Sequence, residues 1–240
     1  MNLTIGCVTD KGNYREKNQD GIICRRCQVG EHLLALACVS DGIGSFSQSE
    51  IASAMMVSGV ASWFDSILKY FPAVMGAKEV VDDLEATLQE LNELIYEGRT
   101  ERNLEIGCTL SLILIIDWEY HIFHVGDSRI YCLRDTLFQL TQDEVILKQI
   151  NGKEKKLLAN YIGKNRQMHI NHQCGHVNRA DMFLLGTDGV CSNLSYENVT
   201  GVLSFVSSDE EVEVLCRNLI DMVLAMGERD NVSCAIVQVM

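Results

Sequence analysis

TLSLILIIDWEYHIFHVGDSRIYCLRDTLFQL, residues 109–140, is a succession of four short runs rich in β-branched and aromatic residues, 109–116, 120–125, 130–133 and 137–140. Asp117-Trp118-Glu119, Gly126-Asp127-Ser128 and Arg134-Asp135-Thr136 separate them. A parallel crossover needs about a dozen residues or more, so connections this short predict an antiparallel meander and speak against a doubly wound sheet.

Outward from this stretch, strands and helices segregate. Residues 4–9 form a short apolar segment before the turn Asp10-Lys11-Gly12-Asn13, and 33–39 is a continuous apolar run that stops at Asp41-Gly42, as a buried strand does. Ile51, Met55, Phe64 and Leu68 recur at helical spacing, Pro72 closes that region, and Val80, Leu84, Leu88, Leu91 and Ile95 mark a second amphipathic helix. Both are expected on one face of a sheet. The polar region 141–180 reads as a helix over 145–150 and another around 157–162. Residues 182–185 form a strand ending at Thr187-Asp188-Gly189; Val212, Leu215, Leu219, Val223 and Met226 are the stripe of a last helix that Gly227 terminates, and 232–239 is a closing strand. With no linker or repeat, residues 1–240 are expected to form one α+β domain of antiparallel sheet layered with helices.

A chain of 240 residues can bury a substantial core. Its 33 acids against 20 basic residues give a net charge of -13, which disfavours an extended nucleic-acid or anionic-membrane surface. The ten cysteines are scattered, mostly in apolar surroundings where a reduced thiol behaves as a small hydrophobe. Cys24-Arg25-Arg26-Cys27 has zinc or redox spacing but no second pair, so ordinary free thiols stand beside a metal or redox role. No charged-then-apolar leader follows Met1, and the run 110–116 is too short to span a bilayer. A cytoplasmic location with reduced thiols is the expectation.

Four stretches place an Asp at the end of an apolar run or in a turn: Asn18-Gln19-Asp20, Ser40-Asp41-Gly42-Ile43-Gly44, Thr187-Asp188-Gly189 and Arg229-Asp230-Asn231. Each alone also reads as a turn or a solvated loop acid, and Asp127 as a hairpin turn with Arg129 for an ion-pair partner. Together they suggest a site for a hard ion such as Mg2+ or Mn2+, which prefers oxygen ligands and retains water. Two such ions about 4 Å apart activate a shared water against a phosphoryl group. His121 and His124 are expected to face opposite ways on a strand, and His169, His172 and His176 read as surface residues or as a substrate-side group.

In order along the chain, Arg15-Glu16-Lys17-Asn18-Gln19-Asp20, Val39-Ser40-Asp41-Gly42-Ile43-Gly44, Gly107-Cys108-Thr109, Val125-Gly126-Asp127-Ser128-Arg129-Ile130-Tyr131, Leu140-Thr141-Gln142-Asp143, Leu184-Leu185-Gly186-Thr187-Asp188-Gly189-Val190 and Arg229-Asp230-Asn231-Val232-Ser233 resemble the metal-dependent serine/threonine protein phosphatases of the type 2C class, in their compact bacterial form. The resemblance implies a four-layer sandwich, two central antiparallel sheets flanked by helices. It implies hydrolysis of phosphoserine and phosphothreonine in proteins by a metal-activated water, with two Mn2+ or Mg2+ ions. By it, Asp41 bridges the ions, Gly42 offers its carbonyl, Asp188 and Asp230 bind the other ion, and Asp20 ligates directly or through water. Arg15 falls where the family binds substrate phosphate, and Asn231 braces the Asp230 loop. Asp127 matches the ligand of a third ion.

Three departures qualify the match. Ser45 replaces a second Gly, Ser192 stands where many relatives place the Asp that partners Asp127, and Glu144-Val145 begins a segment of only 14 residues, 145–158, that implies a reduced flap. The expected partners are phosphorylated proteins of a cytoplasmic Ser/Thr kinase, with no nucleic acid or membrane, and the expected state is a monomer. A noncatalytic phosphoprotein-binding domain of the same fold, or a hydrolase of small phosphoesters, are the rival readings.

Overall fold

β1 (Leu3–Asp10), β2 (Gly21–Val29) and β3 (His32–Ser40) precede the long helices α1 (Ser49–Ile67) and α2 (Ala77–Glu101). Then come β4 (Leu110–Ile116), β5 (Glu119–Val125), β6 (Arg129–Leu133), β7 (Leu137–Gln139), β8 (Val145–Ile150), β9 (Lys153–Leu158), β10 (Asn171–His176) and β11 (Met182–Gly186). The short α3 (Asp188–Cys191) and α4 (Tyr196–Val202), the helix α5 (Asp209–Ala225) and β12 (Val232–Val239) complete the chain. This computed structural model describes residues 2–150 and 152–240.

One antiparallel sheet has the order β1-β12-β11-β6-β7 and the other β10-β5-β4-β3-β2. Their facing sides enclose one core, α1 and α2 cover the outer side of the second sheet, and α5 with α4 covers the outer side of the first. The expected four-layer sandwich is therefore the fold. Burial from both sides explains why β3 and β4 are almost wholly apolar, with Ser111 the polar residue inside β4. In β3, Leu34, Leu36 and Cys38 turn to the helices while Leu33, Ala35, Ala37 and Val39 turn to the opposite sheet. Strand alternation does the same in β12, sending Cys234 and Ile236 to α5 and Ala235 and Val237 between the sheets.

Four sequence expectations are corrected. The stretch 109–140 is not one meander: β4 pairs with β5 in one sheet and β6 with β7 in the other. Gly126, at φ +107 and with no room for a Cβ beside the Thr109 side chain, turns the chain from one sheet to the next. The helices expected over 145–150 and around 157–162 are instead a two-stranded hairpin of β8 and β9, followed by the irregular segment that pairs Ile162 with Cys108. Asn151-Gly152 between those strands is a strong hairpin signal that outweighs the weak apolar spacing. In α1 the buried stripe is Ala52, Met56, Val60, Trp63, Phe64 and Ile67, while Ile51 is exposed. Met226 likewise falls outside the buried stripe of α5 and is exposed.

Candidate functional site: an aspartate cluster at one end of the sandwich

Both sheets deliver carboxylates to the same end of the molecule. Asp41 leaves β3 and is clamped to the start of β4: its N–H donates to Thr109 Oγ1 at 2.9 Å, and its carbonyl accepts from Thr109 N at 2.8 Å. Thr109 Oγ1 is in turn 2.6 Å from Ser128 Oγ, which ties the clamp to the Gly126-Asp127-Ser128 sheet switch. Gly42 N–H donates to the Gln19 carbonyl at 3.1 Å, and a Cβ at residue 42 would lie 2.6 Å from that oxygen. Only glycine fits this approach of two backbones.

Asp188 leaves β11, and Asp230 precedes β12, its neighbour in the same sheet. Asp20 precedes β2 and reaches across to the other sheet, where Oδ2 accepts from Thr187 Oγ1 at 2.9 Å and from Ser233 Oγ at 2.6 Å. Asn231 holds the loop that carries Arg15 and Asp20. Its Oδ1 accepts from Gln19 N at 2.9 Å, and its Nδ2 donates to the carbonyls of Lys11 and Lys17 at 2.8 and 3.0 Å. The brace thus acts on the N-terminal loop, through a buried side chain.

Asp41, Gly42, Asp127, Asp188 and Asp230 line one cavity of about 280 Å3, together with Lys156, Leu158 and Ser192. Asp20 is not among the residues that line it. Arg15 forks onto Asp230, Nε to Oδ1 at 2.8 Å and NH2 to Oδ2 at 2.5 Å. A larger cavity of about 730 Å3, lined by His124, Asp143, Glu144, Asn171 and His172, holds none of the clustered aspartates.

Burial first, and then the charges of Asp20, Asp188 and Asp230, push Asp41 well above the usual carboxylate range. Burial also raises Asp20 to about 7 against the hydrogen bonds from Ser233 and Thr187, and raises Asp188 to about 6 with help from the charges of Asp127 and Asp230. Asp41, Asp188 and Asp230 crowd near one guanidinium with Asp20 adding its charge to Asp41, an arrangement that a divalent cation relieves. Among the described residues, no three His, Cys, Asp or Glu side chains already close on a single point. Mg2+ and Mn2+ suit such an open set, because these hard ions complete their shells with water and carbonyl oxygen. The residues therefore fit ions held by Asp41, Asp188 and Asp230, with the Gly42 carbonyl and Asp20 as further oxygen donors.

The model of the family described as Protein phosphatase 2C matches residues 14–223. This chain belongs to the protein phosphatase 2C family. Protein phosphatase PhpP of Streptococcus pneumoniae is 26% identical over 251 residues, covering 98% of this chain and 97% of that protein. Two solved structures share the fold. The S. agalactiae serine/threonine phosphatase, 24% identical, superposes with a TM-score of 0.82 over the whole of both chains. The catalytic domain of the serine/threonine protein phosphatase PstP in complex with two manganese ions, 24% identical, gives 0.76 over 98% of this chain and 97% of that one.

Within this phosphatase fold, several parts of the site carry no motif of their own. Thr187 and Ser233, which hold Asp20, lie within the matched stretches but had no role assigned to them, since only the pairing of β11 with β12 brings them together. Lys156 falls between the helices expected over 145–150 and around 157–162, so its approach to the cavity was hidden. His124 is buried between Ser111 and the Gln142 carbonyl, while His121 is half exposed and 3.2 Å from His172, as strand alternation requires. Neither they nor His169 and His176 line the aspartate cavity. Cys24 and Cys27 face opposite sides of β2, and all ten cysteines are free. Ser45 is not among the non-glycine residues with positive φ, so it takes the place of a glycine without strain.

Proposed function

We propose that this phosphatase hydrolyses phosphoserine and phosphothreonine in proteins, using two Mn2+ or Mg2+ ions at Asp41, Asp188, Asp230, Gly42 and Asp20. The observation that carries the reading is the convergence of carboxylates from both sheets on one cavity with Arg15 at its rim. When bound, the ions supply Lewis acidity at the phosphoryl oxygens and activation of water. The protein's own residues do the rest. Arg15, a planar fork now engaged with Asp230, is placed to share its donors with a phosphate entering the cavity. Thr109 and Ser128 fix Asp41 in position, and Thr187 and Ser233 fix Asp20. Leu158 contributes an apolar wall that limits water.

Ten free thiols suit a reducing, cytoplasmic compartment, where the chain would act as a monomeric unit over 1–240 opposing a Ser/Thr kinase in signalling. No helix among the described residues is long and apolar enough to cross a membrane.

Turnover of a phosphothreonine peptide with Mn2+, by wild type and Asp188→Asn, tests the function. The expected result is a loss of at least about 100-fold, or roughly 2.7 kcal/mol in the barrier, and no turnover in chelator. Equal turnover by the variant or by metal-free protein would sink the reading.

A further inference from the structure

We propose that the ammonium of Lys156 takes the place of a third cation at Asp127, so that the chain is a two-metal phosphatase with a tethered positive charge at the rim of its acid cavity. The inference rests on the two-metal reading above and concerns the residues beside it.

Two cations and two carboxylates alternate in a chain at this rim. Arg129 sends Nε to Asp143 Oδ1 and NH2 to Asp143 Oδ2, each at 2.8 Å. Lys156 Nζ stands 3.1 Å from Asp143 Oδ2 and 3.3 Å from Asp127 Oδ2. The ammonium hydrogen-bonds Asp143, which the guanidinium fork also engages, and it is the cation paired with Asp127. The Asp127 side chain is only 13% exposed, while that of Lys156 is 42% exposed, so the pair is screened from its lysine side. Deeper in the same cavity the balance is the opposite: the charges of Asp41, Asp188 and Asp230 act together on Arg15, which is bonded to Asp230. Divalent charge is wanted there and not at Asp127.

A third ion does not fit these residues. It would have to displace Lys156 from Asp127, and Ser192, which lines the same cavity, offers it a neutral hydroxyl. The chain is built to deliver the lysine. Gly126, the residue before Asp127, accepts from Glu144 N at 2.7 Å and donates to Glu144 Oε2 at 3.0 Å; Glu144 also pairs with Ala159 N at 2.7 Å. The β8–β9 hairpin is therefore rooted beside the carboxylate that its lysine reaches. Alternation along β9 turns Lys156 and Leu158 into the cavity, and the register Leu147↔Lys156 and Val145↔Leu158 pins them there. Lys156 is thus a positioning residue: a compact point charge that holds Asp127 and does not dissociate.

Mn2+ stoichiometry, read by calorimetry and by the electron paramagnetic resonance of free ion, tests the assignment on wild type, Asp127→Asn, Lys156→Arg, Lys156→Ala and the Lys156→Ala/Asp127→Asn pair. The expected result is two ions for wild type, Asp127→Asn and Lys156→Arg. Lys156→Ala should gain a third, weaker ion that the double variant loses. Should Lys156→Ala not fold, the comparison of wild type with Asp127→Asn decides alone. A third ion in wild type that Asp127→Asn removes overturns the inference and leaves the two-metal reading standing, as does a folded Lys156→Ala that still takes two. A wild type that takes no Mn2+ overturns both.

Discussion

Gly189 shows how little room the site leaves at single residues. A Cβ there would lie 2.2 Å from the Asn231 carbonyl oxygen, so Gly189→Ala must push apart the loops that carry Asp188 and Asp230. Overpacking of this kind costs about 1–3 kcal/mol, to be read from urea unfolding, and the same displacement should lower turnover at saturating Mn2+. Protonation gives a second test at this scale. Asp20 near 7 and Asp188 near 6 lie above the value of about 4 that both take in an unfolded chain. Between these values the metal-free fold binds more protons than the unfolded chain, so stability present below about pH 4 is lost as pH rises through 6 and 7. Ions act in the opposite sense, since their ligands must be deprotonated. In chelator the melting temperature should fall from pH 5 to pH 8, and the rise produced by Mn2+ should grow over the same interval. A melting temperature in chelator that is flat across that interval would contradict the burial of these carboxylates.

At the scale of elements, one side chain, Asn231, bonds the N-terminal loop at three backbone groups. Asn231→Ala removes the acceptor for Gln19 N and the donor for two carbonyls, leaving part-buried backbone groups without that partner at about 1 kcal/mol. Because that loop carries Arg15 and Asp20, turnover should fall by more than the lost stability accounts for, measured at a temperature where the variant is still fully folded. Which elements were legible follows from where they sit. β3, β4 and β12 are covered on both faces, and their apolar runs reveal them directly. β2 and β10 are edge strands carrying Arg25, Arg26, His172 and Gln173 toward solvent, so neither shows a clean alternation and neither was expected. The β8–β9 hairpin carries Lys148, Lys155 and Lys156 among its apolar residues, which obscured the period of two. The aspartates were readable because Asp41 and Asp188 end apolar runs and Asp20 and Asp230 stand in loops just before strands, whereas Lys156 depends on a strand register that a single sequence does not display.

For the whole molecule, the two sheets end together, and the site exists only when they are stacked. Asp41 comes from one sheet and Asp188 and Asp230 from the other, while Asp20 precedes β2 of the first and is hydrogen-bonded to residues of the second. Metal binding is thereby linked to formation of the sandwich, and Mn2+ at about 100 times its dissociation constant should add roughly 2.7 kcal/mol to global stability. The net charge of -13 gives the molecule a field that favours cations around the cavity. The most direct test of the central claim is a crystal structure with Mn2+, with the ions located by their anomalous scattering. Two peaks roughly 4 Å apart, held by Asp41, Asp188 and Asp230 with Lys156 still on Asp127, is the predicted result. A cavity without manganese, or a single ion seated on Asp127, would contradict it.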